Sequence, residues 1–152
     1  MDKKTLTKNF TWEEVTRSDT AEKLGIQNSY SDDIKINIRF TADKMEMARR
    51  ILGEPIKVNS WYRSEKLNSV VGGSKTSAHC YGLAVDFVCP LFGTPSEIVR
   101  MLSGFKDILE FDQLICEDNK WVHIGWRPLG EKGRRQVLRM IPNRSPKYIP
   151  FT

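Results

Sequence analysis

The chain is expected to be an α+β domain, with N-terminal helices packed on a small, mainly antiparallel sheet. Three observations carry this. Helices lie mostly N-terminal, where Ile34, Ile36, Ile38, Ala42, Met45, Met47 and Ile51 keep a rough helical spacing up to Gly53. Strand-like runs dominate after Leu83. Phe111 to Glu117 and Trp121 to Trp126 flank Asp118-Asn119-Lys120, which is the pattern of a hairpin. Segregated helices and strands indicate α+β rather than alternating βαβ units. A length of 152 residues suits one domain spanning 1–152.

The elements follow in order. Thr11 before Trp12-Glu13-Glu14-Val15 is an N-cap with acids in the first turn, and it starts a short helix. Gly25 to Asp32 is turn-rich and is expected to be a loop. Ser31 or Asp32 opens the long helix, and Pro55 bars its continuation. Ile56 to Ser60 alternates like a half-buried strand, Arg63 to Val70 suits a short helix, and Gly72-Gly73-Ser74 is loop. Leu83 to Val88 forms a strand ended by Pro90. Thr94-Pro95-Ser96-Glu97 begins a helix that runs to about Gly104 or Phe105. Gln136 to Met140 is a further short strand or helix, and the tail from Ser145 to Pro150 is extended and peripheral.

Composition narrows the function classes. Charged residues at 28% and hydrophobic residues at 39% describe a globular chain, and no apolar run approaches the roughly 20 residues a membrane span needs. The start at Met1 carries charges without an apolar stretch, so no signal peptide is expected. Three widely spaced cysteines, Cys80, Cys89 and Cys116, suit reduced thiols. A net charge of +5 suits either an acidic partner or a solubility margin. Lys132, Arg134, Arg135 and Arg139 form a basic cluster read as a solvated face. No nucleic-acid-binding motif accompanies it, so no nucleic-acid partner is expected.

The chain has two histidines, and each stands where a metal would use it. His79 ends the loop before the Leu83–Val88 strand. On that strand Ala84 and Asp86 share a face, a small residue followed by a carboxylate, which suits a cavity better than a core. Trp121 and His123 share a face of the hairpin. Two imidazoles and a carboxylate are a usual catalytic zinc set with the fourth position open to water.

Ser60-Trp61-Tyr62-Arg63-Ser64, Leu67-Asn68, Val71-Gly72-Gly73-Ser74, Ser77-Ala78-His79, Gly82-Leu83-Ala84-Val85-Asp86 and Trp121-Val122-His123-Ile124 together resemble the M15 metallopeptidases. That family includes D-alanyl-D-alanine carboxypeptidases and phage endolysins and shares a fold with hedgehog signalling domains. The likeness runs from about Phe10 to Met140 and is strongest to short phage- and prophage-type members. It implies a hedgehog/DD-peptidase type of fold and Zn2+ on His79, Asp86 and His123. It also implies an arginine, Arg63, that contacts substrate carboxylate or carbonyl oxygen, with Ser77 and Trp121 at the substrate. The substrate class implied is the stem peptide of peptidoglycan, cut by a carboxypeptidase or an endopeptidase, and a monomer is expected. Such a protein would act at the cell wall, reached by a separate export route or as a phage or prophage product.

The chain departs from the family at the general base. Many members carry an acid three residues before the last histidine, where this sequence has Lys120. Hedgehog-like and some short members place a glutamate six residues before, which matches Glu117, with Asp118 in reserve. A two-residue loop would pair Glu117 with Lys120 and turn it away from His123. A three-residue loop would pair it with Trp121 and face it to the metal, and this second arrangement is the one expected. The lack of an acid at Lys120 also suits a zinc-containing but non-catalytic, hedgehog-like binding module.

Overall fold

The computed structural model describes residues 4–152. Met1–Lys3, within the start read above for a leader, lie outside the described residues. A two-stranded ribbon, β1 (Thr5–Thr7) and β2 (Phe10–Thr11), leads into α1 (Trp12–Thr16). Thr11 caps α1 in a reciprocal box with Glu14. Then come α2 (Asp19–Leu24), α3 (Asp32–Leu52), β3 (Lys57–Ser60) and α4 (Glu65–Val70). A 3-10 turn (Ala78–Tyr81), β4 (Ala84–Val88), α5 (Pro95–Ser103) and α6 (Lys106–Leu109) follow. The chain closes with β5 (Gln113–Glu117), β6 (Trp121–Gly125), β7 (Gln136–Met140) and β8 (Tyr148–Pro150). Among the described residues no helix is long and apolar enough to cross a membrane, and the three cysteines are free thiols.

The six-stranded sheet runs β3-β4-β6-β5-β7-β8. Its pairings are antiparallel except β5 with β7, which is parallel. The class is α+β, as expected. Residues paired across a ladder share a face, and alternate residues take opposite faces. One face carries Val85 and Phe87, Val122 and Ile124, and Leu114 and Cys116, all buried in one apolar cluster. Ile38, Ala42, Met45 and Leu52 from α3 and Ile98, Val99 and Leu102 from α5 join that cluster. The α3 residues are spaced four, three and seven apart, and Leu102 follows Ile98 by four and Val99 by three, so each set lies on one helical stripe.

Where the long helix stops, Gly53 takes a left-handed conformation (φ 72°) and its N–H bonds Arg49 O. Thr94 caps α5 with Glu97 at the third position and Pro95 at the first. Elements not expected are the β1–β2 ribbon, α2, the 3-10 turn and α6. The tail is a correction of emphasis. It is extended, but Tyr148–Pro150 docks as β8 on β7 and completes the sheet rather than lying apart from it. The basic cluster lies on a partly solvated face, with Lys132 and Arg134 exposed, and its arginines also have partners. Arg134 forks onto Asp112 at 2.8 and 2.9 Å, Arg135 pairs with Asp107, and Arg139 lies over the Phe151 ring. The arginines thus pair with neighbouring groups while the face stays partly solvated.

Candidate metal centre

The sheet face opposite the helical core carries the site. Asp86 on β4 pairs directly with His123 on β6. His123 pairs with Ile115, while Trp121 pairs with Glu117 on β5, and Glu117 in turn with Met140 on β7. Met140 pairs with Tyr148 on β8. Asp86, His123, Trp121, Glu117, Met140 and Tyr148 therefore look out on one side. The hairpin loop is Asp118-Asn119-Lys120, the arrangement expected. Room for the His123 ring comes from two small neighbours. A Cβ on Gly125 would stand 3.3 Å from His123 Nε2 and 3.5 Å from the Ala84 methyl.

His79 arrives from the 3-10 turn rather than from the end of a loop. Ser77 caps this turn, its Oγ accepting from His79 N at 3.2 Å. Ser77 is thus engaged in shaping the backbone. Gly82 ends the turn at φ 71°, where a Cβ would also stand 2.8 Å from Ile38 Cγ1, so both conformation and space favour glycine. The Gly82 carbonyl accepts from Thr41 Oγ1 and Trp61 Nε1, which fixes the turn between α3 and the segment after β3. That segment also grips His79 itself. Its carbonyl accepts from Arg63 N at 3.1 Å, and its Nδ1 lies 2.6 Å from Trp61 O.

The last contact decides the donor set. A carbonyl oxygen only accepts, so Nδ1 carries the proton and Nε2 presents a lone pair. Yet Nε2 lies 3.1 Å from Asp86 Oδ1, and His123 Nδ1 lies 2.9 Å from the same oxygen. Two acceptors at that distance repel unless a cation sits between them. A second proton on His79 is disfavoured, because burial at 1% exposure holds its pKa below the ordinary value despite the pull of Asp86. Burial works against the Asp86 carboxylate too, but the two imidazoles outweigh it and hold its pKa well below the usual range. The pocket therefore presents an anion and two imidazoles whose ligand atoms lie within 4.8 Å of one another. A single divalent metal fits, and the backbone carbonyl behind His79 is the outer partner that orients such a ligand.

Glu117 is 8% exposed and lies beside this group. Burial raises its pKa above the ordinary value; His123, Lys147 and Arg63 pull it back, while the charge of Asp86 adds to the rise. Asp118 instead pairs with Lys120 at 3.5 Å on the loop. Arg63 forms no ion pair among the described residues, and its Nε is buried without an acceptor. Cys80 is half-buried, with its thiol pKa raised by burial. Lys147, Met140 and Tyr148 were not foreseen at the site. They reach it only through the β5–β7–β8 pairings, which no local pattern announces. Nor does a side-chain pattern reveal the Trp61 carbonyl.

Comparison with known proteins agrees with this geometry. A family model described as Peptidase M15 matches residues 8–125. The zinc D-Ala-D-Ala carboxypeptidase of Streptomyces albus G is 35% identical over 79 residues. That alignment takes in 51% of this chain and 30% of the relative's length. His79, Asp86 and His123 all lie inside the span matched by the family model, and the chain belongs to the M15 peptidase family.

Proposed function

We propose that the chain is a zinc-dependent peptidase that hydrolyses stem-peptide bonds of peptidoglycan. The observation that carries this reading is the fixed tautomer of His79. With Nδ1–H committed to Trp61 O, the Nε2 lone pair is aimed at Asp86 and His123, a set suited to a cation and not to packing. Zn2+ held by His79, Asp86 and His123 would supply Lewis-acid polarisation of a carbonyl and activation of a water.

The chain's own residues do the rest. Glu117 takes a proton from the attacking water and returns it to the leaving amine nitrogen as the C–N bond breaks. A buried carboxyl of raised pKa is suited to both transfers. Arg63 offers a planar guanidinium to a substrate carboxylate or carbonyl oxygen. Trp121, opposite Glu117, forms a wall of the cleft. Ser77 contributes through the turn it caps. The M15 membership and the zinc carboxypeptidase relative support peptide as substrate, and we place the action at the cell wall.

Digestion of purified peptidoglycan with zinc-loaded protein, with and without a chelator, tests the reading. The expected result is muropeptide release that the chelator stops and zinc restores. Mass spectrometry of the products names the bond: free D-alanine identifies a carboxypeptidase, and a cut inside the stem an endolysin-type endopeptidase. No release from the zinc-loaded protein would leave the hedgehog-like binding module as the better reading. Glu117 speaks for the enzyme, since a module that only holds zinc has no use for a buried carboxyl beside the ligands.

A further inference from the structure

The face of the sheet that carries the metal centre continues past Glu117 for two more strands. Tyr148 on β8 pairs with Met140, Met140 with Glu117, and Glu117 with Trp121. Their side chains stand in one row, beside the row that holds Asp86, His123, Ile115 and Leu138. β8 is pinned at both ends: Ile141 N donates to Lys147 O at 2.9 Å, and Phe151 N donates to Val137 O at 3.0 Å. A side chain on a strand held in this way is placed with the precision that a catalytic group needs. These strands lie beyond residue 125, where the family match ends.

Strands stand about 4.8 Å apart, so the Tyr148 backbone is about 10 Å from that of Glu117 and about 19 Å from that of Asp86, four strands away. A charge at that backbone separation would act across more than two Debye lengths. Yet burial, the charge of Glu117 and the charge of Asp86 all raise the pKa of the Tyr148 hydroxyl. The ring therefore leans inward across Met140, which is only 9% exposed although it lies opposite the helical core. Lys147 follows the same course. Its Nζ lies 6.0 Å from the centre of the Tyr148 ring, and its charge pulls on Glu117. Tyr148 itself stays 46% exposed, open to a ligand in the cleft.

Attack of water on a peptide carbonyl leaves an anionic oxygen on a tetrahedral carbon, and a donor aimed at that oxygen stabilises it where it forms. Both imidazoles of the chain belong to the metal set, so neither is free for this task. Tyr62 spends its hydroxyl on the Ser29 carbonyl, and Tyr30 packs between Trp12 and Tyr62. A phenol is protonated at neutral pH and can donate. We propose that Tyr148 is a further catalytic residue, whose hydroxyl donates a hydrogen bond to the oxygen anion formed on the scissile carbon. It approaches from the β8 side, while Arg63 follows β3 at the other edge and serves the substrate end. The phenol keeps its proton throughout. The oxygen of water bonds to carbon, Glu117 carries the proton from water to the leaving nitrogen, and the C–N bond breaks. The proposal rests on the peptidase reading.

Tyr148→Phe keeps the ring and removes only the hydroxyl. On a stem peptide the zinc-loaded variant is expected to lose about 100-fold in kcat, the factor typical of one such donor, with KM within about twofold of the parent. A second readout does not depend on turnover. Stem-type peptides with a phosphinate in place of the D-alanyl-D-alanine amide, or of an internal amide, present a tetrahedral anion where the amide has a planar carbonyl. In titration calorimetry Tyr148→Phe should weaken the tighter-binding phosphinate at least about tenfold. It should leave the amide peptide, measured on Glu117→Gln protein so that it is not cut, within about twofold. Equal weakening of phosphinate and amide would reduce Tyr148 to a wall of the cleft and overturn the proposal, as would a kcat above half the parental value. Selective loss of phosphinate affinity in a protein that releases no muropeptide would sink the peptidase reading and leave the donor standing. A zinc-loaded parent that binds neither phosphinate would overturn both.

Discussion

Replacing Glu117 by glutamine separates catalysis from metal binding and from folding. The amide keeps the shape of the side chain, which is 8% exposed on the face shared with Asp86 and His123, but it cannot accept the proton of the attacking water. A positioned general base is worth about 10²–10⁴ in rate, so kcat should fall by that factor, roughly 3–5 kcal/mol of barrier. Zinc content should stay unchanged, since none of the three ligands is altered. The acid limb of kcat/KM also has a sign. Glu117 works deprotonated, and burial sets its pKa above 4.5, so activity should fall as pH drops through a value above 4.5. The variant should lose that limb. Stability has a sign too: a carboxyl with a raised folded pKa is destabilising once pH rises past its unfolded value, through the folded one. Metal-free Glu117→Gln protein should therefore unfold at higher temperature than the metal-free parent at neutral pH, while parting from it little in acid. Kinetics on a stem peptide, zinc analysis and thermal melts at two pH values check these outcomes. More than a tenth of parental kcat at full zinc content would refute the assignment of the base.

Three further substitutions probe other parts of the argument. Asp86→Ala should lower zinc affinity by more than the roughly 10–100-fold typical of losing an outer-shell partner, measured by competition with a chelating dye. Asp112, gripped by Arg134 and Arg127, has its pKa lowered from 3.8 to about 2. That shift equals about 2.4 kcal/mol at 1.36 per unit, which half-exposed arginines reduce to about 1 kcal/mol for Asp112→Asn in urea unfolding. The contribution is present above pH 3.8 and is lost as pH falls toward 2, so variant and parent should converge in acid. Gly133→Ala would set a Cβ 2.5 Å from Phe111 O and 2.8 Å from Glu110 O. Backbone must move to admit it, and a loss of about 1–3 kcal/mol is expected in thermal melts.

What was legible in the chain is what short-range chemistry writes there. Thr11 with Glu14 and Thr94 with Glu97 announce helix starts because a capping box needs only neighbours. Gly53 ends α3 because only a residue at ease in the left-handed region closes that turn cheaply. His79, Asp86 and His123 were visible through rare residue types and the motifs around them. The short α2 was missed because six residues from Asp19 to Leu24 are too few to show a periodicity, although Ser18 and Gly25 cap it. The parallel pairing of β5 with β7 and the docking of β8 join segments with no shared local pattern. Hence Tyr148 and Met140 could not be placed beside Glu117 from the sequence. The ion pairs of the basic cluster were hidden for the same reason, since the carboxylates that engage Arg134 and Arg135 lie 22 and 28 residues away.

The hairpin shows how a small local choice controls the chemistry. Asp118 and Asn119 both take positive φ, 52° and 51°, residue types that tolerate it. Lys120 N bonds Glu117 O at 2.9 Å, and Ser96 N donates to Asn119 Oδ1, which ties the loop to the start of α5. Glu117 thus pairs with Trp121, and that pairing puts Glu117 and His123 on one face. Residues paired across a ladder share a face, so the partner of Glu117, and not the length of the turn, sets the face it takes. Deleting Lys120 leaves Asp118-Asn119 as a two-residue turn between Glu117 and Trp121, a turn whose favoured form takes positive φ at both positions. Glu117 would still pair with Trp121 and stay on the face of His123, and β4 against β6 would keep the ligand set, because that pairing lies on the other side of β6. The shortened protein is therefore expected to bind zinc and to keep most of the parental turnover. Adding Glu117→Gln to the deletion should then cost the shortened protein the same factor that it costs the parent. Full zinc content with turnover as low as that of Glu117→Gln would mean that the pairing with Trp121 does not place the base, and the register argument would fail with it.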